Sequence, residues 1–339
     1  MDIYKFKRAV VNLQGFGYKI PDNIRYARPW ELSNLLENGE LTQYQYEEIK
    51  QGYFDYDQSS VGTAVYVVHD SLHYLITARH VLSDSIALDG EIQAATLERD
   101  KSHRPYDADR FEEEIERLKR NIVWKRIAIV PTYRSYTYDR SDDYYFGIFS
   151  MMLGTGPFDS RMYMMSDEYI DLAVICISDV SSPYEDIVGH LERHGYEPIP
   201  FSDLMNSDVP AGAEVAAIGY PAAVSLVGRT SNSRSGETSY LSEPTVTFGT
   251  FITSENYNQY SLARVSGGNS GGALIYQDQL AGIVVKTSTL KFNETPSLRG
   301  NIQWHYATIS TSSDEVIKLI EAYENRRSQN PILQYRKNR

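Results

Sequence analysis

Ser266-Gly267-Gly268-Asn269-Ser270-Gly271-Gly272-Ala273-Leu274 sets a serine in a glycine-flanked turn directly before an apolar strand. Glycine on both sides opens backbone conformations closed to other residues, so the amides of Gly268 and Ser270 are able to converge on one developing oxyanion. A turn of that kind can hold a nucleophile, and a serine hydroxyl then needs a base. Upstream, Tyr74-Leu75-Ile76-Thr77-Ala78-Arg79-His80-Val81-Leu82 reads as a short apolar strand ending at a histidine, the side chain best suited to take a hydroxyl proton near neutral pH. His80 is the candidate base. Between the two lies Tyr169-Ile170-Asp171-Leu172-Ala173-Val174-Ile175-Cys176-Ile177, with an aspartate at the mouth of a strongly apolar strand. Asp171 is the candidate orienter of the imidazole.

Singly, each piece has a plain structural reading, as a turn, a strand histidine or a strand-edge aspartate. Together, in the order His, Asp, Ser and each beside a strand, they resemble the trypsin-like (chymotrypsin-fold) serine peptidases, whose order differs from that of subtilisins and α/β-hydrolases. The resemblance runs from roughly Ser60 to Tyr323 and rests on Thr77-Ala78-Arg79-His80, Asp171-Leu172-Ala173-Val174 and Gly268-Asn269-Ser270-Gly271-Gly272. It implies His80 as base, Asp171 as orienter and Ser270 as nucleophile, with the Gly268 and Ser270 amides as oxyanion donors. Asn269 before the serine, and Ala217-Ile218-Gly219-Tyr220-Pro221, are more similar to the bacterial glutamyl endopeptidase and HtrA-type branches than to digestive trypsins. Bacterial or phage origin is the matching expectation. His80 and Asp171 are 91 positions apart, more than compact members of that family need, and Asp171 and Ser270 are 99 apart, so an insertion is expected in the first interval.

The chain has 339 residues, enough for one peptidase unit with extensions, and its 42% hydrophobic content is that of an ordinary folded protein. With 33 basic and 45 acidic residues the formal net charge is −12, which argues against nonspecific binding to nucleic acid or to an acidic membrane surface. The single cysteine, Cys176, allows no intrachain disulfide and no thiolate zinc cluster. Met1 to Arg8 is not followed by the apolar run of a secretory signal, and nowhere do 18 apolar residues accumulate, so a cytoplasmic protein is expected.

The fold expected is mainly β: two six-stranded antiparallel barrels of the chymotrypsin type, with a helical N-terminal extension, an inserted helix and a C-terminal helix. Strands are expected at 62–68, 74–78, 172–177, 215–218, 246–252, 273–276, 281–285 and 304–309. Residues 1–58 are read as the extension, with helical patterns at 30–36 and 44–49, and 59–323 as the peptidase domain. Within that domain the first barrel takes about 59–195 with an insertion at about 97–165, and the second about 196–311. A helix at 313–325 then precedes a tail at 326–339. Phe111, Ile115 and Leu118 share one helical face between Asp107 and Arg120, with i,i+4 pairs Glu113–Arg117 and Glu116–Arg120. The C-terminal helix shows Ser313 as a cap, an apolar stripe of Val316, Leu319, Ile320 and Tyr323, and Arg326-Arg327 at its end. The Tyr-rich, Met-rich stretch 132–169 has no sustained period and reads as an irregular packed insertion or an interaction loop.

The resemblance further implies a primary subsite near Arg264 and the strand at Val285, Lys286 and Thr287, where basic groups favour an acidic substrate side chain. Trypsin-type zymogens carry an aspartate just before the serine to pair with a new amino terminus. Asn269 stands there and excludes that switch, which leaves the N-terminal extension, the inserted helix or a regulatory protein partner as candidate controls. No cofactor is required, and His190 and His194 lack a third ligand nearby, so no metal is expected. The function expected is an intracellular serine endopeptidase acting on a protein or peptide, in bacterial stress or defence signalling. The competing classes are a catalytically silent binding module and an esterase on the same fold.

Overall fold

The computed structural model describes residues 1–18, 29–43, 46–47, 56–101, 108–124, 126–130, 149–152, 162–179, 186–221, 244–293 and 302–329. In chain order its elements are α1 (Ile3–Ala9), β1 (Val10–Tyr18), α2 (Pro29–Glu37), β2 (Tyr56–His69), β3 (Leu72–Ala78), α3 (Arg79–Leu82), α4 (Ser85–Lys101) and α5 (Ala108–Asn121). There follow β4 (Arg126–Val130), β5 (Phe149–Met152), β6 (Tyr163–Met165), β7 (Leu172–Cys176), α6 (Ile187–Arg193) and β8 (Ile199–Pro200). The remainder is β9 (Glu214–Gly219), β10 (Thr245–Glu255), β11 (Asn258–Ser261), β12 (Ala273–Tyr276), β13 (Gln279–Asn293), β14 (Ile302–Ser312) and α7 (Ser313–Ser328).

Period-2 alternation decides how the second unit closes. On β9, Val215 and Ala217 point into one apolar cluster with Phe251, Leu274, Ala281 and Val284, the barrel interior. The neighbouring Ile218 points outward to pack against the first unit, because successive strand side chains face opposite ways. Strands β10-β11-β14-β13-β12-β9 form a closed six-stranded barrel, as expected.

The first unit departs from the expected first barrel. Its described strands form an eight-stranded sheet in the order β5-β4-β1-β2-β3-β7-β6, with β8 pairing β2 off that path, and the sheet is not closed. The extra strands come from two segments given other roles by the sequence. Val10–Tyr18 lies in the region expected to be a helical extension, yet it pairs antiparallel with β2 on one side and β4 on the other. Strands β4 and β5 lie inside the expected insertion and lengthen the sheet beyond β1. Val10, Val11 and Leu13 are fully buried, and Val10 faces a different core from the other two, so this strand is covered on both faces. Such a short apolar run after a helix carries no alternation to announce it.

Strands β3 and β7 are also covered on both faces. Leu75, Ala173 and Ile175 enter the outer core, while Tyr74, Ile76, Val174 and Cys176 enter the core shared with the barrel and α7. Each of the Leu, Ile and Val side chains among them contributes about 1.5–3 kcal/mol. Burial pushes the Cys176 thiol pKa up, which leaves it an inert core residue. Helix α7 lays Val316, Leu319, Ile320 and Tyr323 on that shared core and is pinned by Asp179, which accepts from Tyr323 Oη (2.9 Å) and from Arg327 Nε (2.6 Å) and Nη2 (2.9 Å). Ser313 is not its cap: Ser312 takes that position without a side-chain hydrogen bond, and Ser313 Oγ donates to Met205 O. The inserted helix is α5, and the sequence missed its partner α4. Residues 44–45 and 48–49 of the expected 44–49 helix, and most of 132–169, lie outside the described residues.

Candidate active site

His80 follows β3 without a loop. Ala78 is extended and the chain turns at once into the four-residue α3, whose Arg79, Val81 and Leu82 are buried while His80 is exposed. Strand β7 lies beside β3, with Ala78 opposite Leu172, so the residue before β7 sits next to α3. That residue is Asp171. Its Oδ1 accepts from His80 N (3.0 Å), its Oδ2 is 2.8 Å from His80 Nδ1, and its carbonyl accepts from Arg79 N (3.0 Å). With Nδ1 committed to the carboxylate, Nε2 is the ring nitrogen left to accept a proton.

Asp171 has φ +55°, a left-handed conformation that costs a non-glycine residue about 1–3 kcal/mol. The surroundings hold it there. Asp171 N donates to Asp167 O (3.1 Å), and Asp167 Oδ1 accepts from the amides of Tyr169 and Ile170 (2.9 Å each). The guanidinium of buried Arg79 donates to Ser166 O (3.1 Å). From the barrel, Thr311 Oγ1 donates to Ile170 O (2.7 Å).

Ser270 belongs to the turn entering β12. Asn269 N donates to Ser266 O (3.1 Å), Gly272 N to Asn269 O (2.8 Å) and Gly271 N to Val284 O (2.7 Å). Left-handed backbone at Gly268 (φ +93°) and Gly271 (φ +86°) gives the turn its shape. Neither the Gly268 nor the Ser270 amide has an acceptor among the described residues, whereas the amides between and after them do. The Ser270 hydroxyl donates to Val285 O (3.4 Å) and makes no hydrogen bond to His80 in this structure. Catalytic hydrogen bonds commonly tighten only when substrate binds.

Two threonines that the sequence did not single out join the halves. Thr63 N donates to Ser270 O (2.7 Å) and Thr63 Oγ1 to Gly268 O (2.9 Å), while Tyr220 N donates to Thr63 Oγ1 (2.9 Å). Thr77 Oγ1, on β3 three residues before His80, donates to Thr63 O (2.6 Å). Thr63 lies near the start of the apolar strand expected at 62–68, which carries no local signature of this role, so only its pairing across 205 residues reveals it.

Of the expected subsite residues, Arg264, Lys286 and Thr287 are exposed and Val285 is buried. Among the described residues neither Arg264 nor Lys286 has an ion-pair partner. Val285 sits at an irregularity in the β13–β14 register. His190 and His194 lie with ring centroids 4.3 Å apart and their planes tilted by 55°, and no group of three or more His, Cys, Asp or Glu suited to a metal lies among the described residues. Nor is any described helix long and apolar enough to cross a membrane.

A catalytic constellation of this sort on a β scaffold defines a class, the serine peptidases of chymotrypsin-like fold. Residues 62–283, well over half of the chain, match the trypsin-like peptidase domain, and the chain belongs to that family. A search of curated proteins finds no match. Among solved structures, a thermostable serine protease AL20 from an extremophilic microorganism is 12% identical, with a TM-score of 0.42 over 94% of this chain and 99% of that one. An inactive form of Rv3671c from M. tuberculosis H37Rv, carrying a serine-to-alanine substitution, is 11% identical with a TM-score of 0.39 over 95% and 90%. Human heparin binding protein is 10% identical with a TM-score of 0.38 over 94% and 93%.

Proposed function

We propose that this chain is a serine endopeptidase whose Ser270 hydroxyl attacks a peptide carbonyl. His80 Nε2 takes the hydroxyl proton and later gives it to the leaving amine, and water then releases the acyl group from Ser270. Asp171 accepts from Nδ1, fixing the tautomer and stabilising the imidazolium. The developing oxyanion is received by the Gly268 and Ser270 amides, where loss of one donor typically costs about 10²–10³ in turnover. The observation that carries the reading is the His80–Asp171 pair, bonded both through the ring and through the His80 amide, with Asp171 kept in a strained conformation by its neighbours. Residues held in such conformations by their surroundings cluster at active sites.

Arg264 and Lys286, exposed and without an ion-pair partner among the described residues, favour an acidic residue at the cleaved position, which is the preference of the glutamyl endopeptidase branch. In this reading the enzyme works in the cytoplasm on a protein substrate, under a regulatory protein, in bacterial stress or defence signalling. A fluorophosphonate probe tests the nucleophile: it is expected to label the wild-type chain and not Ser270→Ala. Equal labelling of the two, or none of either, overturns the reading in favour of a silent binding module. Comparing amide with ester substrates then separates a peptidase from an esterase, and a cleavage profile without enrichment of Asp or Glu rejects the acidic preference.

A further inference from the structure

The amides of Gly268 and Ser270 belong to alternate peptide units of one turn, and the unit after each of these residues is held at both ends. In the Gly268–Asn269 unit the carbonyl accepts from Thr63 Oγ1 (2.9 Å) and the amide donates to Ser266 O (3.1 Å). In the Ser270–Gly271 unit the carbonyl accepts from Thr63 N (2.7 Å) and the amide donates to Val284 O (2.7 Å). A single residue of β2, in the sheet that carries His80, therefore supplies the carbonyl clamp of both. The unit between them has its carbonyl, Asn269 O, bonded by Gly272 N (2.8 Å), which leaves the Ser270 amide without an acceptor among the described residues.

The Thr63 hydroxyl works in both its capacities. It donates to Gly268 O and accepts from Tyr220 N (2.9 Å), so its rotor has one orientation that serves both. Thr63 is fully buried, and a Cβ on Gly219 would lie 3.2 Å from its Oγ1. Its carbonyl is occupied as well, accepting from Thr77 Oγ1 (2.6 Å). Gly268, at φ +93°, has no side chain to restrict its backbone, so its orientation depends on what holds its carbonyl. We infer that Thr63 is a positioning residue for the oxyanion site: its hydroxyl, acting through the Gly268 carbonyl, keeps the Gly268 amide presented beside that of Ser270. Thr63 itself bonds the turn and not the reacting atoms. The inference rests on the peptidase reading and deepens it, because the donors on the barrel then take their geometry from the sheet. Removing the hydroxyl should weaken an interaction made in the transition state, while binding of the probe and proton transfer to His80 are left as they were.

The test uses the intact chain and two probes of Ser270. Fluorophosphonate labelling over a concentration series gives a maximal rate and a half-saturating concentration. Phenylboronic acid, whose boron takes up the serine oxygen to form a tetrahedral adduct, reads the oxyanion site at equilibrium. Thr63→Val keeps the shape and the amide and removes the hydroxyl. It is expected to lower the maximal labelling rate about ten- to hundredfold and to weaken phenylboronic acid by a similar factor. The half-saturating concentration and the pH midpoint of labelling, which reports the His80 base, are expected to stay at their wild-type values. Thr63→Ser, which restores the hydroxyl, is expected to return rate and boronate affinity close to wild type. Circular dichroism and a urea titration verify that each variant is folded under the labelling conditions. An unchanged rate in folded Thr63→Val, a loss confined to the half-saturating concentration, a shifted pH midpoint, or no recovery in Thr63→Ser each overturns the inference. If Thr63→Val does not fold, Thr77→Val decides: by loosening the Thr63 carbonyl it is expected to give a smaller fall in rate and boronate affinity at an unchanged pH midpoint, and no fall overturns the inference. Failure of wild-type Ser270 to label instead sinks the peptidase reading on which it stands.

Discussion

The barrel and the open sheet hold their candidate catalytic residues by different means. In the barrel, the Ser270 turn is fixed through its own backbone, bonded to β13 at Val284 and to β2 at Thr63, around two left-handed glycines. In the sheet, His80 and Asp171 are side chains at the ends of adjacent strands, and the register of β3 with β7 brings them together. A closed barrel leaves little freedom to the turn it carries, so Ser270 and the Gly268 and Ser270 amides can be set by backbone alone. An open sheet accepts additions at its edges. It has taken up β1, β4 and β5 on one side, and the α4–α5 hairpin leaves it two residues after α3 and returns through Trp124 N, which donates to Leu82 O (2.9 Å).

The largest effect is expected where the two meet. A Cβ on Gly271 would lie 1.8 Å from Thr63 O and 2.2 Å from Thr77 Oγ1, on backbone that already disfavours a side chain. Gly271→Ala is expected to destabilise the chain by about 3 kcal/mol. It should also slow fluorophosphonate labelling about a hundredfold, as misplacement of a reacting group by an ångström does. Unchanged labelling would show that the turn does not depend on its seam with the sheet. Thr63→Val keeps the shape but strands the Gly268 carbonyl and the Tyr220 amide, for an expected loss of about 1–3 kcal/mol in urea unfolding. If Thr311→Val, which frees Ile170 O on the Asp171 side, costs more activity than Thr63→Val, the barrel governs the orienter more than the nucleophile.

How much of this was legible depended on how local each signal is. The candidate residues His80, Asp171 and Ser270 could be singled out because each sits in a short run with a local pattern: strand and histidine, aspartate and strand, glycine turn and strand. The limits of β12 and the helical faces of α5 and α7 followed from residue spacing in the same way. Strand β1 was not legible, because Val10-Val11-Asn12-Leu13-Gln14 buries polar and apolar positions alike and follows α1 directly. Thr63 and Thr77 were not legible either, since their role lies in hydrogen bonds to residues far along the chain. Closure was inferred for both units from strand number, yet it depends on which edges find partners, and no count of strands states that.

Acid distinguishes the two units further. His73 in β3 is packed against Tyr66, whose hydroxyl lies 2.6 Å from its Nδ1, and burial lowers its pKa from the ordinary imidazole value. A lowered pKa in the folded state means that the unfolded chain binds the proton first as pH falls. Stability from this group is therefore complete above about pH 6.5 and is lost as pH drops through the folded value. Urea midpoints are expected to fall as pH drops below about 6.5, and His73→Gln, which keeps an acceptor for Tyr66, is expected to flatten that slope. A slope untouched by the substitution would assign the acid sensitivity to other groups.

The smallest expected effect concerns the hairpin. Lys119 on α5 binds Glu168 (3.0 Å), which neighbours the Asp167 turn that holds Asp171, and Glu116 (3.0 Å); the Glu168 hydrogen bond is the main cause of its raised pKa. Lys119 is 22% and Glu168 47% exposed, and exposed pairs contribute about 0–1 kcal/mol, so Glu168→Gln is expected to lower kcat no more than about fivefold. Because the Debye length shrinks to about 3 Å at 1 M salt, wild type and variant should converge there. In a double-mutant cycle with Lys119→Met the coupling should match the single effect, since each change removes the same contact. A hundredfold loss in Glu168→Gln, insensitive to salt, would contradict the pair's exposure and make the hairpin a control element acting on the Asp171 turn. A passive insertion rooted in an open sheet gives the small, screened response instead, because the Asp167 carboxylate and Thr311 already hold that turn without it.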